Sequence, residues 1–389
     1  MNYEISQHCL SEIATEKLDS RPFLLLILSI IFIPAAYVFV AAVFIVEAIR
    51  GNLNIKKNIS TLLIYAYFTI GVISSEYKLI SVFFALLMML CYYSYNLFKS
   101  LDKDSLSKAR KIIYAVSILV FIIGIMQYLN TDFEIPTKWV DSNEYKLNKR
   151  IYSTFFNPNV FGFYINFIIL LAIENLNFKK INLESVVFLS GIVCLILTFS
   201  RTAWISLVIA LIVVSIFNRK YLKYALIISL AIFSFDTLLG IGRIDPVKAA
   251  EDSSFLYRFE VWKTSFEIIK DNLISGIGFG TLFKHVADYS SIVSSKIEHS
   301  HNIYIQIFTE TGIMGFSIFL IILFKVLKTF KRRLLDKNNN QWITAFAVFV
   351  MTLIHGLVDS VALTPQILLI LSIYAGTISA LNSEQLTMK

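Results

Sequence analysis

Residues 112–129 read IIYAVSILVFIIGIMQYL, a run without one charged side chain. A run of this length matches the hydrocarbon thickness of a bilayer, which an α-helix crosses in about 20 residues. Comparable runs recur along the chain, in which 57% of the 389 residues are hydrophobic and only 16% are charged. Because a bilayer offers the backbone no hydrogen-bond partners, such segments must be helical. The sequence therefore predicts an all-α, polytopic membrane protein.

Eleven apolar runs are candidate membrane spans. The first contains Pro34 and is long enough for a helical hairpin, so the prediction is about eleven or twelve transmembrane helices. No soluble domain of any size remains, and residues 1–389 are predicted to form a single integral membrane domain. The runs lie at residues 23–48, 59–74, 78–98, 112–129, 158–173, 184–199, 203–217, 222–240, 303–325, 341–358 and 363–381.

Lysine and arginine residues collect in alternate connections between these runs. By the positive-inside rule, the side that carries them is cytoplasmic. The formal charge of +8 then follows from topology and from contact with anionic lipid headgroups. A nucleic-acid partner is not predicted, because the chain lacks a basic soluble module with interleaved aromatic residues. The basic residues are Arg50, Lys56, Lys57, Lys99, Lys103, Lys108, Arg110, Lys111, Lys179, Lys180, Arg219, Lys220, Lys223, Lys325, Lys328, Lys331, Arg332, Arg333 and Lys337.

Two long connections, residues 130–157 and 241–302, lie on the opposite, exported side. A connection as long as the second usually carries function or its own structure. Within it, aromatic and aliphatic residues recur at spacings of three and four, which predicts an amphipathic helix. Two placements of this helix stay open, on the membrane surface or packed against the bundle. The stripe comprises Phe255, Phe259, Trp262, Phe266 and Ile269.

Three arginines are predicted at the exported edge. Arg201 lies in the short turn between two spans, and Arg258 lies in the amphipathic segment. A guanidinium group presents a rigid fork of donors that matches phosphate oxygens, so a diphosphate clamp is one interpretation. The alternatives are snorkelling of Arg201 to lipid headgroups and pairing of Arg258 with a carboxylate of the loop. Arg150 is a weaker ligand candidate.

Glycine and asparagine mark two further turns. GIGFG at residues 276–280 can expose backbone N–H groups, Gly278 among them, to a phosphate, but a tight turn against a helix explains the run equally well. NPN at residues 157–159 predicts a helix start, with asparagine as the cap and proline in the first turn. Structure alone accounts for that motif.

EHSHN at residues 298–302, followed by ETGIMG at residues 310–315, places rare polar residues where the loop re-enters a span. Such positions favour chemistry, and His301 can accept a proton from a hydroxyl as a general base. A metal site at His299 and His301 is not favoured, because a helical zinc site wants histidines four residues apart. His355 and Asp359, near the exported end of the tenth run, could approach the same site, but a buried structural pair is the favoured interpretation.

These motifs together resemble the O-antigen ligase and O-antigen polymerase family of membrane glycosyltransferases. The resemblance covers roughly residues 145–330 and rests on SRTAW at residues 200–204, the GIGFG run, and His301-Asn302 followed by ETGIMG. It implies a GT-C-like helical fold with a large periplasmic loop, here residues 241–302. It also implies the bacterial inner membrane, with the active site facing the periplasm.

The resemblance further implies a glycan donor carried on undecaprenyl diphosphate. Arg201 and Arg258 match the arginines thought to bind the diphosphate, and His301 matches the histidine proposed to activate the acceptor hydroxyl. The family reaction is inverting and uses neither metal nor nucleotide sugar, so no cofactor is expected. The predicted substrate-binding set is Arg150, Gly278, Asn302 and Glu310.

Within the family, TFFNPN at residues 154–159 and the moderate loop size favour a polymerase of lipid-linked repeat units. The alternative is a ligase that transfers the finished glycan to lipid A core. A third reading, a non-catalytic transporter of the lipid-linked glycan, predicts broken or charged mid-membrane segments in matched halves. The chain has no evident internal repeat, and its charges lie at the interfaces.

Overall fold

The computed structural model describes residues 19–51, 59–130, 149–179, 181–245, 247–248, 252–294, 296–297, 299–335 and 340–387. Over these residues the chain forms fourteen α-helices and two short 3₁₀ helices, with no strand. The all-α prediction is confirmed. Most of the predicted loop at residues 130–157 lies outside the described residues, as do Lys56, Lys57, Lys180, Lys337 and Glu298.

The helices follow the predicted apolar runs closely. Four are long and apolar enough to cross a membrane by length and composition, namely α4, α5, α9 and α12, and seven shorter ones are apolar. In chain order the helices are α1 (Arg21–Ile31), α2 (Ile33–Ile49), α3 (Ile59–Ile73), α4 (Lys78–Lys99), α5 (Lys103–Leu129), α6 (Pro158–Glu174), α7 (Leu183–Leu197), α8 (Arg201–Val214), α9 (Lys220–Leu238), α10 (Ser253–Asp271), α11 (Leu282–Tyr289), α12 (Ile303–Leu334), α13 (Asn340–Gly356) and α14 (Pro365–Thr387).

The first apolar run is a helical hairpin, as Pro34 predicted. Phe32 is extended between α1 and α2, and Pro34 occupies the first turn of α2. The outer ends of the two helices meet, because Arg21 Nη1 donates to Glu47 Oε1 at 2.6 Å. At the tip, the Gln366 amide donates to the carbonyls of Ser29 and Ile30 at 3.2 Å. These bonds satisfy carbonyls that the end of a short helix leaves without intrahelical partners.

Two of the basic connections, those that contain Arg110 and Lys220, meet at the end of the bundle remote from residues 198–201. Arg110 at the start of α5 donates to Glu174 Oε1 at the end of α6, at 2.7 Å. Lys220 at the start of α9 donates to the Glu174 carbonyl at 2.9 Å. The predicted sharing of one side by these connections is therefore seen in the contacts, and its assignment as cytoplasmic stays a prediction.

Helix α6 is the centre of the core. Every side chain from Val160 to Glu174 is buried, which agrees with a sequence that is apolar on all faces. Its neighbours are α7, α8 and α13. The asparagine cap and proline at residues 157–158 fix where this helix begins. Asn159, in the first turn, is therefore held rigidly at the end of the bundle opposite the basic connections.

Helix α12 is broken at Gly312, whose backbone (φ 58°, ψ −166°) is not helical. Backbone groups freed by a break inside a membrane need new partners. Here the partners come from residues 273–278, the segment that follows α10. Four N–H donors close the gap: Ile277 to Thr309 O (3.1 Å), Gly278 to Glu310 O (2.8 Å), Ile313 to Leu273 O (2.8 Å) and Met314 to Ile274 O (3.2 Å). We call this pairing the loop–helix lock.

Glycine is required on both sides of the loop–helix lock. A Cβ on Gly276 would overlap the Glu310 carbonyl carbon, and a Cβ on Gly312 would overlap the Ile274 carbonyl oxygen. Both glycines also have positive φ. GIGFG and ETGIMG, two of the motifs that carry the family resemblance, are thus in contact. The backbone of the loop approaches the backbone of the helix closely at this contact.

The amphipathic helix of the long loop is α10, and its buried face includes only Ile269 of the predicted stripe. Phe259 and Phe266 are 48% and 49% exposed, whereas Val261, Ser265 and Ile268 are buried. Small and β-branched residues pack closely on α11 and α12, and the larger rings are left outside. Of the two predicted placements, packing against the bundle describes one face, and the aromatic stripe remains open to the surroundings.

Replacing Gly312 by alanine tests the loop–helix lock. We expect Gly312→Ala to lower the unfolding free energy by roughly 3 kcal/mol, since the backbone strain adds to an overlap that forces the two segments apart. The matched control is Gly240→Ala, because Gly240 has the same φ of 58° with open space around it. The control should lose only about 1 kcal/mol. Thermal unfolding in detergent measures both, and equal losses would contradict the lock.

Candidate functional site

The Asp359 carboxylate is the centre of a buried polar cluster between α13 and α14. Asn159 Nδ2 donates to Oδ2 at 2.9 Å, and Arg258 Nη2 lies 4.0 Å from the same oxygen. His301 Nδ1 lies 3.3 Å from Oδ1, which also accepts from the Ser360 N–H at 2.9 Å. Four distant parts of the chain therefore meet at one carboxylate, which brings the predicted residues His301 and Arg258 together.

Asp359 carries negative charge at neutral pH. Burial alone raises the pKa of this carboxyl group, but the hydrogen bond with His301, the charges of the His301 and His299 rings when these are protonated, and the charge of Arg258 outweigh burial. The net effect holds the pKa of Asp359 far below its ordinary value. Because an ionised carboxylate only accepts hydrogen bonds, we assign the His301 ring proton to Nδ1. Nε2 then keeps a lone pair that can accept a proton.

His301 adopts a left-handed backbone conformation (φ 54°) directly before α12. Asn302 caps the helix, accepting from the N–H groups of Tyr304 and Ile305 at 3.0 and 3.1 Å. The Asn302 amide donates to the Leu357 carbonyl at 2.9 Å, close to Asp359 in sequence. The side chain of Asn302 is thus engaged in holding the two segments together. The geometry favours a positioning role for Asn302 over the predicted substrate contact.

Glu310 connects the glycine-rich turn to the histidine segment. Its Oε1 accepts from the Gly280 N–H at 2.8 Å and from Gln306 Nε2 at 2.5 Å. Gln306 Oε1 in turn accepts from the Ser300 N–H at 2.6 Å. The Glu310 side chain is buried and is linked through Gln306 to the residue before His301, which favours a positioning role over the predicted substrate contact.

The glycine-rich turn offers no N–H group to a phosphate, because each one from Gly276 to Gly280 donates within the protein. Gly278 donates to the Glu310 carbonyl as part of the loop–helix lock, and its positive φ of 95° requires glycine. The prediction that Gly278 binds substrate is therefore not supported, and the alternative of a tight turn against a helix describes the structure. The remaining acceptors are Asn272 O for Gly276, Thr309 O for Ile277, Gly71 O for Phe279 and Glu310 Oε1 for Gly280.

Arg201 and Arg243 share a second buried carboxylate, Asp252. Arg201 Nη2 lies 2.6 Å and Arg243 Nη1 3.4 Å from Asp252 Oδ2. Burial raises the pKa of Asp252, but the Ser254 hydroxyl and the charges of the two arginines lower it by more. Asp252 also caps α10, accepting from the Ser254 N–H at 2.9 Å. The carboxylate therefore fixes the start of the helix that carries Arg258.

Asn159 links Asp359 to Arg150 and to Ser200, the residue before Arg201. Its Oδ1 accepts from Arg150 Nη2 at 3.0 Å and from the Ser200 hydroxyl at 2.9 Å, while its amide reaches Asp359. Arg150 Nε also donates to the Thr198 carbonyl at 2.8 Å. The segment before Arg201 and the arginine before α6 are thus tied to the same asparagine that holds Asp359.

Four arginines converge on this site. Burial, and then the charges of Arg243, Arg258 and Arg201, lower the pKa of Arg150 to about 9, which still leaves it protonated at neutral pH. Asp252 pairs with Arg201 and Arg243, and Asp359 pairs with Arg258, whereas Arg150 donates to the neutral groups of Asn159 and Thr198. The site therefore keeps an excess of positive charge in a poorly hydrated setting. Such an arrangement favours an anion with several charges.

The sequence interpretation kept an approach of Asp359 to the site only as the less favoured alternative, and it gave Asn159, Asp252 and Arg243 no role in the site. The expected buried pair of His355 and Asp359 is wrong, because Asp359 bonds to His301, while both ring nitrogens of His355 are buried without a hydrogen-bond partner. The predicted asparagine cap of the span is Asn157, as expected, and Asn159 was taken only as part of that capping motif. A signal was present for Asp359 and Asn159, namely an acidic or amide residue at the exported end of a span.

Three side chains of the site also present metal-ligand atoms to one another. His299, His301 and Asp359 each offer one such atom within 4.8 Å of the other two. The rings of His299 and His301 meet edge to face, with centroids 4.4 Å apart. The sequence spacing could not reveal this group, because its third member lies 58 residues beyond His301.

The fold and site define a polytopic helical membrane protein in which a histidine–carboxylate pair lies among clustered arginines. The family model described as O-antigen ligase matches residues 186–320, which include Arg201, Arg258 and His301. This match, over about a third of the chain, supports the resemblance to the O-antigen ligase and polymerase family. No curated protein matches the chain. The family implies a glycosyltransferase-like enzyme of O-antigen assembly, with lipid-linked glycan and acceptor substrates in a membrane.

Replacing Asp252 by asparagine separates its charge from its capping role, because asparagine caps helices equally well. We expect Asp252→Asn to destabilise the protein by roughly 2 kcal/mol at pH 7, since two arginines lose their buried partner. The pKa of Asp252 is lowered in the folded state. Its contribution is therefore fully present above about pH 4 and is lost as the pH falls through the folded pKa. Thermal unfolding from pH 3 to 8 should show the wild-type advantage shrinking only at the acid end.

Proposed function

We propose that this protein is an inverting glycosyltransferase that moves a glycan from undecaprenyl diphosphate to a sugar hydroxyl in surface-polysaccharide assembly. The observation that supports it most is the Asp359 carboxylate, which lies 3.3 Å from a histidine nitrogen and 4.0 Å from an arginine nitrogen. A base and a cationic clamp therefore share one buried anchor. Transfer from a diphosphate needs both, one on each side of the anomeric carbon.

His301 acts as the general base in this proposal. Asp359 holds the Nδ1–H, so Nε2 accepts the proton of the acceptor hydroxyl as that oxygen attacks the anomeric carbon. The new C–O bond forms on the face opposite the diphosphate, which inverts the configuration. A correctly placed base contributes typically 10²–10⁴-fold to a rate. The left-handed backbone at His301 is held by the contacts of Asn302 and Gln306, which keep the ring in place.

The arginines take the leaving group. As the bond between the anomeric carbon and the diphosphate oxygen breaks, its electron pair stays on the diphosphate and negative charge accumulates there. Arg201, Arg258 and Arg150 are the candidates for contact, and Arg243 supports Arg201 through Asp252. In a site that excludes water, donors aimed at developing charge supply several kcal/mol, on the order of 3 for one well-placed donor. The excess positive charge of the cluster suits a diphosphate.

The favoured acceptor is another lipid-linked repeat, which makes the enzyme a polymerase. TFFNPN at residues 154–159 supports this assignment, and the same segment supplies Asn159 to the site. The ligase alternative, with lipid A core as the acceptor, is favoured by the match to the O-antigen ligase family model. We further propose that the site faces the periplasm and that transfer needs no metal ion.

A transfer assay on purified protein tests the proposal. Undecaprenyl-diphosphate glycan is supplied with a chelator, and the acceptor is either a second lipid-linked repeat or lipid A core. We expect His301→Ala to lower the rate by about 100-fold or more, because the base is lost. Arg258→Gln should lower it by a similar factor, because leaving-group stabilisation is lost.

The matched controls are His285→Ala and Arg50→Gln, which remove the same side-chain types outside the site and should leave the rate within about two-fold of wild type. A product ladder from the second repeat supports the polymerase, and transfer only to the core identifies the ligase. Normal transfer by His301→Ala at normal protein levels would contradict the assignment of the base. Absence of product with either acceptor would favour a transport role.

A further inference from the structure

The cluster of His299, His301 and Asp359 has the composition of a transition-metal site. Two imidazoles and one carboxylate form the ligand set of many three-residue sites that leave one position open. His301 and Asp359 already lie 3.3 Å apart between Nδ1 and Oδ1. Two ligands held at about 2.0–2.1 Å from a tetrahedral zinc ion are about 3.4 Å apart. His301 and Asp359 therefore already have the spacing of two zinc ligands in the metal-free site.

His299 completes the set. Its ligand atom lies within 4.8 Å of the other two, and its ring meets the His301 ring edge to face. Closing the remaining distance to ligand contact requires a shift of roughly 1 Å, which rotation of a partly exposed ring can supply. His299 and His301 are both partly exposed, so an ion can reach them from the solvent. Imidazole ligands favour Zn²⁺, Cu²⁺ and Ni²⁺, whereas Mg²⁺ and Ca²⁺ favour oxygen ligands.

We propose that His299, His301 and Asp359 bind a zinc-class divalent ion, and that this ion inhibits the transferase. The inference rests on the proposed function, in which His301 is the base and no metal takes part. His299 has no role in that transfer. Its position beside the base is explained if His299 is the third ligand of the inhibitory site. The glycosyltransferase would thus be switched off by transition metal on the face where its substrates bind.

Inhibition follows from the chemistry of the imidazole ring. If the ion binds Nε2, it occupies the lone pair that would accept the hydroxyl proton. If the ion binds Nδ1, the one proton of the neutral ring lies on Nε2, and that nitrogen becomes a donor. In either case Nε2 can no longer act as a base. The ion also takes the Asp359 carboxylate, which in the metal-free site holds the base and faces Arg258.

Zinc titration of the transferase tests this inference. The purified protein is first assayed in chelator and then in buffers with defined free Zn²⁺. We expect saturating Zn²⁺ to lower the wild-type rate by about 100-fold, the factor expected for losing the base. Measured against its own metal-free rate, His299→Ala should require at least about ten times more Zn²⁺ for half inhibition. Mg²⁺ at the same concentrations should have no effect, and the control His285→Ala should respond like the wild type.

Direct binding keeps this test separate from the test of the transferase. Equilibrium dialysis with metal analysis should find one Zn²⁺ more per chain in the wild type than in His299→Ala. Equal zinc content in the two proteins would overturn the site, whatever the activity. Stimulation of the chelator-treated enzyme by Zn²⁺ would overturn inhibition and, separately, the proposed metal-independent reaction. If transfer fails in every condition but the zinc difference persists, the metal site stands and the proposed function falls.

Discussion

The buried Asp359 carboxylate is the constraint on which the site depends. A carboxylate out of water is costly unless donors and cations surround it, and removing a partner from such a group is strongly destabilising. Here Asn159, His301, Arg258 and the Ser360 N–H share that task. The same four contacts bring together the ends of α6, α10, α12 and α13. Electrostatic satisfaction of one anion thereby places a base beside a cationic cluster.

The loop–helix lock carries the second half of the arrangement. Residues 273–278 close the break at Gly312, and this pairing brings the end of α10 against α12. The other end of α10 is fixed by Asp252 between Arg201 and Arg243. Arg258 lies between these two anchors, so its guanidinium can reach Asp359. Motifs far apart in the sequence therefore contact one another and together fix the position of α10 beside the site.

The sequence could predict the spans and most of the charged site, for physical reasons that differ. Long uncharged runs admit only helices in a bilayer, so the helices follow those runs, including the hairpin at Pro34. Arg201, Arg258 and His301 stand out because charge at a membrane edge is rare. The contacts that these residues make could not be predicted from the sequence. Asp359 is 58 residues from His301 and 200 residues from Asn159 along the chain. For Gly278, the sequence could not separate an exposed N–H from one already donated to Glu310.

The central claim is that one site divides its work, with arginines binding the diphosphate and His301 moving a proton. Equilibrium binding of undecaprenyl diphosphate to purified protein tests this division without requiring turnover. The account predicts that His301→Ala binds this lipid as tightly as the wild type, whereas Arg258→Gln and Arg201→Gln bind at least about ten-fold more weakly, as expected for charge-assisted hydrogen bonds. Unchanged binding by both arginine variants would contradict it.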